Sequence, residues 1–133
     1  MISTYMNNAR LDSLVREVAD KIHDGQPGYW KFEYKDRVLI IMTDESHNRM
    51  RIITPVVEVA ELSDEIWPLC MSANFDRALD ARYAVSGDYL WSVFIHPLKQ
   101  LEDGQVLDGM DQVATLADNF GTSFSSSDLF FGG

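Results

Sequence analysis

The chain has 133 residues and a formal net charge of −10, and its 21 acidic residues outnumber its 11 Lys and Arg residues. This length fits one domain that buries about two thirds of its unfolded surface, while the acidic charge disfavours nucleic acid and anionic membranes as partners. A single cysteine, Cys70, excludes an intrachain disulfide. The sequence shows no signal peptide and no stretch near the roughly 18 apolar residues of a membrane span, so we expect a soluble cytoplasmic protein.

The first predicted element is a helix over about residues 9 to 23, with Asn8 as its N-cap. Apolar residues recur there at helical spacing and form one stripe, namely Leu11, Leu14, Val15, Val18 and Ile22. The sequence DGQPG then predicts a break in the chain.

Three strands are predicted between residues 29 and 58, with turns near Lys35-Asp36 and at the sequence DESHN. A second helix is predicted in LSDEIWPLCMSANF, with Ser63 as a possible N-cap. Pro68 fits poorly in a straight helix that starts there. It therefore indicates either an irregular first turn or a start near residue 67.

Two further strands follow at about residues 80 to 86 and 89 to 96, joined by a tight turn at Ser86-Gly87-Asp88. The last strand is apolar on both faces, so both of its faces must be covered. We assign Tyr89, Trp91, Val93 and Ile95 to the main core, and Leu90 and Phe94 to the opposite face. A third helix is predicted over about residues 102 to 120, and Gly121 is placed to end it.

The predicted fold is α+β: a two-layer α/β sandwich with the element order α-β-β-β-α-β-β-α. The first and fourth strands alternate between apolar and polar residues and are assigned to the sheet edges, whereas the other three are apolar on both faces, as expected of central strands. One domain covers residues 1–121, and residues 122–133 form a Ser-rich aromatic tail.

Part of this sequence resembles a known superfamily. The resemblance rests on the apolar helix ending in Asn74-Phe75, the hairpin ARYAVSGDYLWSVF, the short link through Leu98 and the helix MDQVATLADNFG. Together with the order of elements, these segments resemble the type III secretion chaperone-like superfamily (Tir chaperone or CesT-like), and most closely its YbjN-type branch. The resemblance implies a five-stranded antiparallel sheet of order 1-2-3-5-4 in a small acidic homodimer that binds polypeptide without catalysis. YbjN-type members are largely of unknown function, and some are called putative sensory transduction regulators. The resemblance therefore does not identify a client.

Candidate catalytic and metal-binding residues have simpler structural interpretations. Asp44, Glu45 and His47 offer metal-ligand atoms within four residues, but a polar hairpin turn explains them more simply. Cys70 lies in an apolar helix with no base nearby, which favours an inert thiol. No glycine-rich phosphate motif occurs, so we expect no cofactor and no enzyme.

The charged and terminal residues also give no strong functional signal. Basic residues on the first hairpins are interleaved with acids and indicate a solvated face; they are Lys31, Lys35, Arg37, Arg49 and Arg51. The Gly132-Gly133 pair is similar to the terminus of ubiquitin-like carriers, but the helix-first order does not match their fold. Residues 58–133 carry the whole charge deficit, which indicates either solubility or attraction of a basic partner.

The sequence therefore predicts a chaperone-like adaptor that holds a polypeptide segment, with a regulatory homodimer without a client as the alternative. Three helices are too few to cover both faces of the sheet, so we expect a homodimer that buries on the order of 1,200 to 2,000 Å². The predicted partner or dimer contacts are Ile66, Trp67, Leu69, Met71, Leu90 and Phe94. The tail offers two alternatives, a disordered terminus or docking of Leu129, Phe130 and Phe131 in an apolar groove.

Overall fold

A computed structural model of the chain describes residues 5–122, 124 and 125. The helices of this part of the chain are α1 (Asn8–Val18), α2 (Ile66–Asp76) and α3 (Asp103–Asp118), with one 3-10 turn at Val59–Glu61. Its strands are β1 (Lys21–Gln26), β2 (Tyr29–Tyr34), β3 (Arg37–Asp44), β4 (Arg49–Glu58), β5 (Arg82–Ser86) and β6 (Tyr89–His96).

The strands form one six-stranded antiparallel sheet of order β1-β2-β3-β4-β6-β5. The α+β class is confirmed, but the predicted five-stranded sheet of order 1-2-3-5-4 is wrong. An additional strand, β1, pairs with β2, so β2 is not an edge strand.

The additional strand combines residues 21–23, which were predicted to end the first helix, with residues 24–26 of the predicted break. Helix α1 ends at Val18 and Ala19 is extended, after which the Asp20 amide donates to the Glu33 carbonyl across 2.8 Å. Ile22 then lies opposite Phe32 in the sheet. An apolar residue at helical spacing, such as Ile22, also suits a partly buried position in a strand. The spacing of apolar residues alone therefore does not distinguish a helix from a strand here.

The helical layer packs on one face of the sheet. Helix α3 lies against β3, β4 and β6, and α1 lies against β1 and β2. Gly109 allows a close approach of α3, because a Cβ atom there would lie 3.0 Å from Phe94 Cδ1 and 3.1 Å from Ile52 Cδ1. The core between the layers contains the fully buried side chains of Trp30, Phe32, Leu39, Ile41, Ile52 and Met110.

The faces of β6 are reversed relative to the sequence prediction. Leu90 and Phe94 are buried, whereas 57% of Ile95 is exposed, so the face assigned to the main core points away from it. The buried Ser92 hydroxyl donates to the Val113 carbonyl of α3 across 2.8 Å. A serine whose hydroxyl donates to a helix carbonyl can occupy the core face of a strand. The polarity of Ser92 therefore did not indicate which face of β6 is buried. Leu90 and Phe94 are core residues of the monomer and do not form a free partner-binding surface.

Helix α2 lies beside the edge strand β5. Its first residue is Ile66, so Pro68 falls in the first turn, where its missing N–H would have no helical partner in any case. The Asn74 side chain accepts from the Tyr83 amide at 2.8 Å and donates to the Tyr83 carbonyl at 3.0 Å. One amide side chain thus satisfies both backbone groups of an edge residue and fixes α2 to the sheet.

Candidate protein-binding surfaces

The sheet face opposite α1 and α3 carries an apolar surface across β3, β4 and β6. Its residues alternate along each strand with residues that point into the core, and pairing places Ile40, Ile53 and Val93 in one cross-strand row. We call this surface the open sheet face; it consists of Val38, Ile40, Met42, Ile53, Pro55, Trp91, Val93 and Ile95. All of these side chains are at least partly exposed, and among the described helices none packs over them.

Three basic side chains lie beside the central apolar rows of the open sheet face. The row of Ile40, Ile53 and Val93 runs between Lys31 on β2 and Arg82 on β5. Arg51 lies between Met42 and Ile95 in the next row. Helix α3, which covers the other side of the sheet, carries four aspartates and no Lys or Arg. The same face also carries Glu33 beside Val38 and Glu58 beside Tyr89, so basic side chains lie next to its central apolar rows while acids lie nearer its margins.

Helix α2 presents a second apolar surface. We call it the α2 surface; its residues are Leu69, Met71 and Phe75, which are 51%, 56% and 89% exposed. Helix α2 is apolar around most of its circumference, because Cys70 and Ala73 on its inner side are buried as well. A helix that is apolar all round is typically buried, so this exposure is unusual.

The predicted contacts of α2 divide into two groups. Leu69 and Met71 are exposed, whereas Ile66 and Trp67 are partly buried against the core. Phe75, the most exposed of the large apolar side chains in the described chain, was not predicted. The missed signal was its position four residues after Met71, which places both side chains on the same side of the helix.

The DESHN turn between β3 and β4 is held by its own hydrogen bonds. His47 Nδ1 lies 2.8 Å from Asp44 Oδ2, and the Ser46 hydroxyl donates to Asp44 Oδ1 across 2.7 Å. These bonds, the Ser46 hydroxyl first and then the His47 ring and backbone, lower the pKa of Asp44 to about 2. Glu45 accepts from the Asn8 amide instead, and the described residues contain no cluster of three or more His, Cys, Asp or Glu suited to a metal.

The remaining titratable groups of interest do not converge on one site. His23 Nε2 on β1 lies 2.8 Å from Glu33 Oε2, whereas His96 lies at the end of β6 and its Nδ1 donates to the carbonyl of the next residue, Pro97. Burial raises the pKa of the Cys70 thiol, which disfavours the nucleophilic thiolate. Burial and the Asp111 carboxylate raise the pKa of Tyr34 well above its usual value.

An aromatic cluster joins the end of α3 to β5. Tyr83, Phe120 and Phe124 make edge-to-face contacts with ring centroids 5.4 to 6.1 Å apart. Ser125 is buried, and its hydroxyl donates to the Arg77 carbonyl across 3.2 Å at the end of α2. Leu129, Phe130 and Phe131, which were predicted to dock in a groove, lie outside the described residues.

The chain was compared with known proteins at three levels. No protein-family model and no curated protein matches its sequence. Among solved structures, a chain of the ExsC–ExsE complex matches with a TM-score of 0.63 and 12% identity, over 85% of this chain and 92% of that one. The chain has the fold of a type III secretion chaperone.

Two further structures support this fold. The Yersinia pestis type III secretion chaperone SycH, in complex with a stable fragment of YscM2, matches with a TM-score of 0.62 and 11% identity over 86% of this chain and 98% of SycH. The HopA1–SchA chaperone–effector complex matches with a TM-score of 0.61 and 11% identity, over 83% of this chain and 88% of that one. At these identities the likeness concerns the fold. None of the described helices is both long enough and apolar enough to cross a bilayer.

Proposed function

We propose that this protein is a non-enzymatic, chaperone-like module that holds a segment of another polypeptide on the open sheet face. The observation that carries the proposal is the apolar surface across three central strands with no described helix over it. Apolar surfaces of this kind on soluble proteins typically mark interaction sites. Chaperones in complex with other polypeptides among the structures of the same fold add support.

The surroundings of the open sheet face favour a particular kind of segment. Lys31, Arg51 and Arg82 are exposed beside the apolar rows. A bound segment with Asp or Glu next to its apolar residues would place its charges against these three side chains. The acidic α3, on the opposite side of the molecule, would repel the same segment. We therefore propose an acidic and apolar segment as the client.

We also propose that the chain forms a homodimer through the α2 surface. Leu69, Met71 and Phe75 expose apolar area that a second copy of α2 would remove from water. Ile66 and Trp67 would extend this contact at its partly buried side. Static light scattering tests the proposal: the mass should approach that of a dimer at micromolar protein, and Phe75→Ser should shift it towards the monomer. A monomeric mass independent of concentration contradicts the dimer.

The second candidate function is a regulatory homodimer without a client. The α2 surface favours it, since self-association through one apolar helix requires no further partner. Membership of the YbjN-type branch, with its putative sensory transduction regulators, and a cytoplasmic location remain predictions that accompany either candidate. The two candidates differ in one respect: only the first requires occupation of the open sheet face.

Two matched variants test the client-binding proposal. Ile95 is on the open sheet face and is 57% exposed, whereas Val85 is 53% exposed on an adjacent strand and pairs with Leu90 of the core face. The untagged protein and its Ile95→Asp and Val85→Asp variants are purified from the native host, and copurifying proteins are quantified by mass spectrometry. We expect a stoichiometric partner that Ile95→Asp removes and Val85→Asp retains. The absence of a partner, or its equal loss in both variants, contradicts client binding on this face.

A further inference from the structure

A groove separates α2 from the residues that follow α3. It has a volume of about 390 Å³ and is lined by Leu69, Ser72, Ala73, Asp76, Arg77, Thr122 and Phe124. This size is within the roughly 300–1,000 Å³ range of sites that take ligands. The groove includes no residue of the open sheet face, so it is a separate candidate site.

The described chain leads to the edge of this groove. Phe124 forms part of its wall, and the next residue, Ser125, is held by the hydrogen bond to the Arg77 carbonyl. Four residues further along, the sequence reaches the apolar run Leu129-Phe130-Phe131. An extended chain of four residues spans at most about 14 Å, so this run stays close to the groove in any conformation.

We propose that residues 129–131 dock in this groove of their own subunit, with apolar contacts to Leu69, Ala73 and Phe124. Exposed together, one leucine and two phenylalanines would leave a large apolar area in water, and Leu69 is itself 51% exposed. Asp76 and Arg77 carry opposite charges at the groove, so Asp128 gains little net electrostatic energy there. The binding free energy of the docked run therefore comes from the apolar contacts.

The short connection makes even a weak contact effective. A tether of this length corresponds to an effective concentration in the millimolar range. A free peptide that binds the groove with a Kd of about 1 mM would thus occupy it in roughly half of the molecules when it is part of the chain. The docked run shields Leu69, which is part of the α2 surface. Docking itself does not depend on the proposed client, and of the α2 surface it competes with the proposed dimer for Leu69 alone.

The test uses a chain shortened to residues 1–125, which keeps Phe124 and Ser125. A synthetic peptide of residues 126–133 is titrated into the ¹⁵N-labelled shortened chain and, separately, into the labelled full chain. We expect amide shifts at Leu69, Ser72 and Arg77 in the shortened chain, with a Kd of about 1 mM or tighter. In the full chain the apparent affinity should fall at least about twofold, because the chain's own residues already compete for the groove.

Control titrations establish specificity. A peptide carrying Phe130→Ser and Phe131→Ser should produce no shifts at the groove. Absence of shifts with the native peptide, shifts confined to the open sheet face, or equal affinity in the two chains would overturn the inference. The competition should persist when the full chain is diluted tenfold; its loss on dilution would assign the groove to a second copy of the chain. Because every readout is at groove amides, failure here is distinguishable from loss of client binding at Ile95.

Discussion

Replacement of Phe94 by alanine tests which face of β6 belongs to the core. Only 4% of Phe94 is exposed, and its ring stacks on His96 with centroids 5.8 Å apart and an interplanar angle of 6°. Truncation of a buried phenylalanine costs about 3 to 5 kcal/mol, as the sum of lost transfer free energy and a residual cavity. Here the ring borders an open polar cavity of about 420 Å³ that also contains Asp80 and Gln112. Water can enter the vacated space, so we expect the lower end of the range, about 3 kcal/mol.

The adjacent residue provides the matched control. Ile95 is 57% exposed on the open sheet face, and surface substitutions usually change stability by no more than about 0.5 kcal/mol. Urea unfolding of the native chain, Phe94→Ala and Ile95→Ala should therefore give a lower midpoint for Phe94→Ala alone, with the m-value unchanged. All three are measured at one protein concentration, because self-association would stabilise the folded state. A larger loss for Ile95→Ala than for Phe94→Ala would refute the assignment of the two faces.

Three further predictions concern packing, edge capping and charge. Gly109→Ala should destabilise the fold by about 1 kcal/mol, because its Cβ would meet side chains at 3.0 to 3.1 Å. Gly104→Ala lies in open space on the same helix and should stabilise the fold by about 0.5 kcal/mol. Thermal unfolding compares the two variants, and an equal effect of both contradicts the close approach of α3 to the sheet. Asn74→Ala leaves two backbone groups of β5 without their side-chain partner and should cost about 1 to 3 kcal/mol in urea unfolding, and a neutral result contradicts the capping role. The depressed pKa of Asp44, about 2, means that the carboxylate form stabilises the turn above the unfolded pKa and that this contribution is lost as the pH falls towards 2. An NMR titration should show this midpoint and its rise in Ser46→Ala; an unchanged midpoint contradicts the role of the serine hydroxyl.

Several features of this protein followed from local sequence alone. The apolar spacing of α3 predicted a helix whose observed bounds, Asp103–Asp118, fall within the expected residues 102 to 120. The turn at Ser86-Gly87-Asp88 predicted the hairpin of β5 and β6, and Gly87 has the positive φ, 60°, that such a turn requires. Leu69 and Met71, predicted as partner or dimer contacts, are exposed on α2, and their role in such contacts stays a prediction. In each case the determining interactions lie within a few residues of one another.

Other features were decided only by contacts between distant residues. The predicted first helix extended to about residue 23 and the predicted break began at residue 24, but pairing with β2 made residues 21–26 a strand. Alternation along β6 indicated two faces, but the core face became identifiable only when α3 supplied a carbonyl for Ser92 and a close approach at Gly109 for Phe94. The sequence alone thus determined the order of most elements and the α+β class, because periodicity and turn chemistry are local. The tertiary structure decided the sixth strand and the apolar sheet face that no described helix covers, because both depend on which distant surfaces meet.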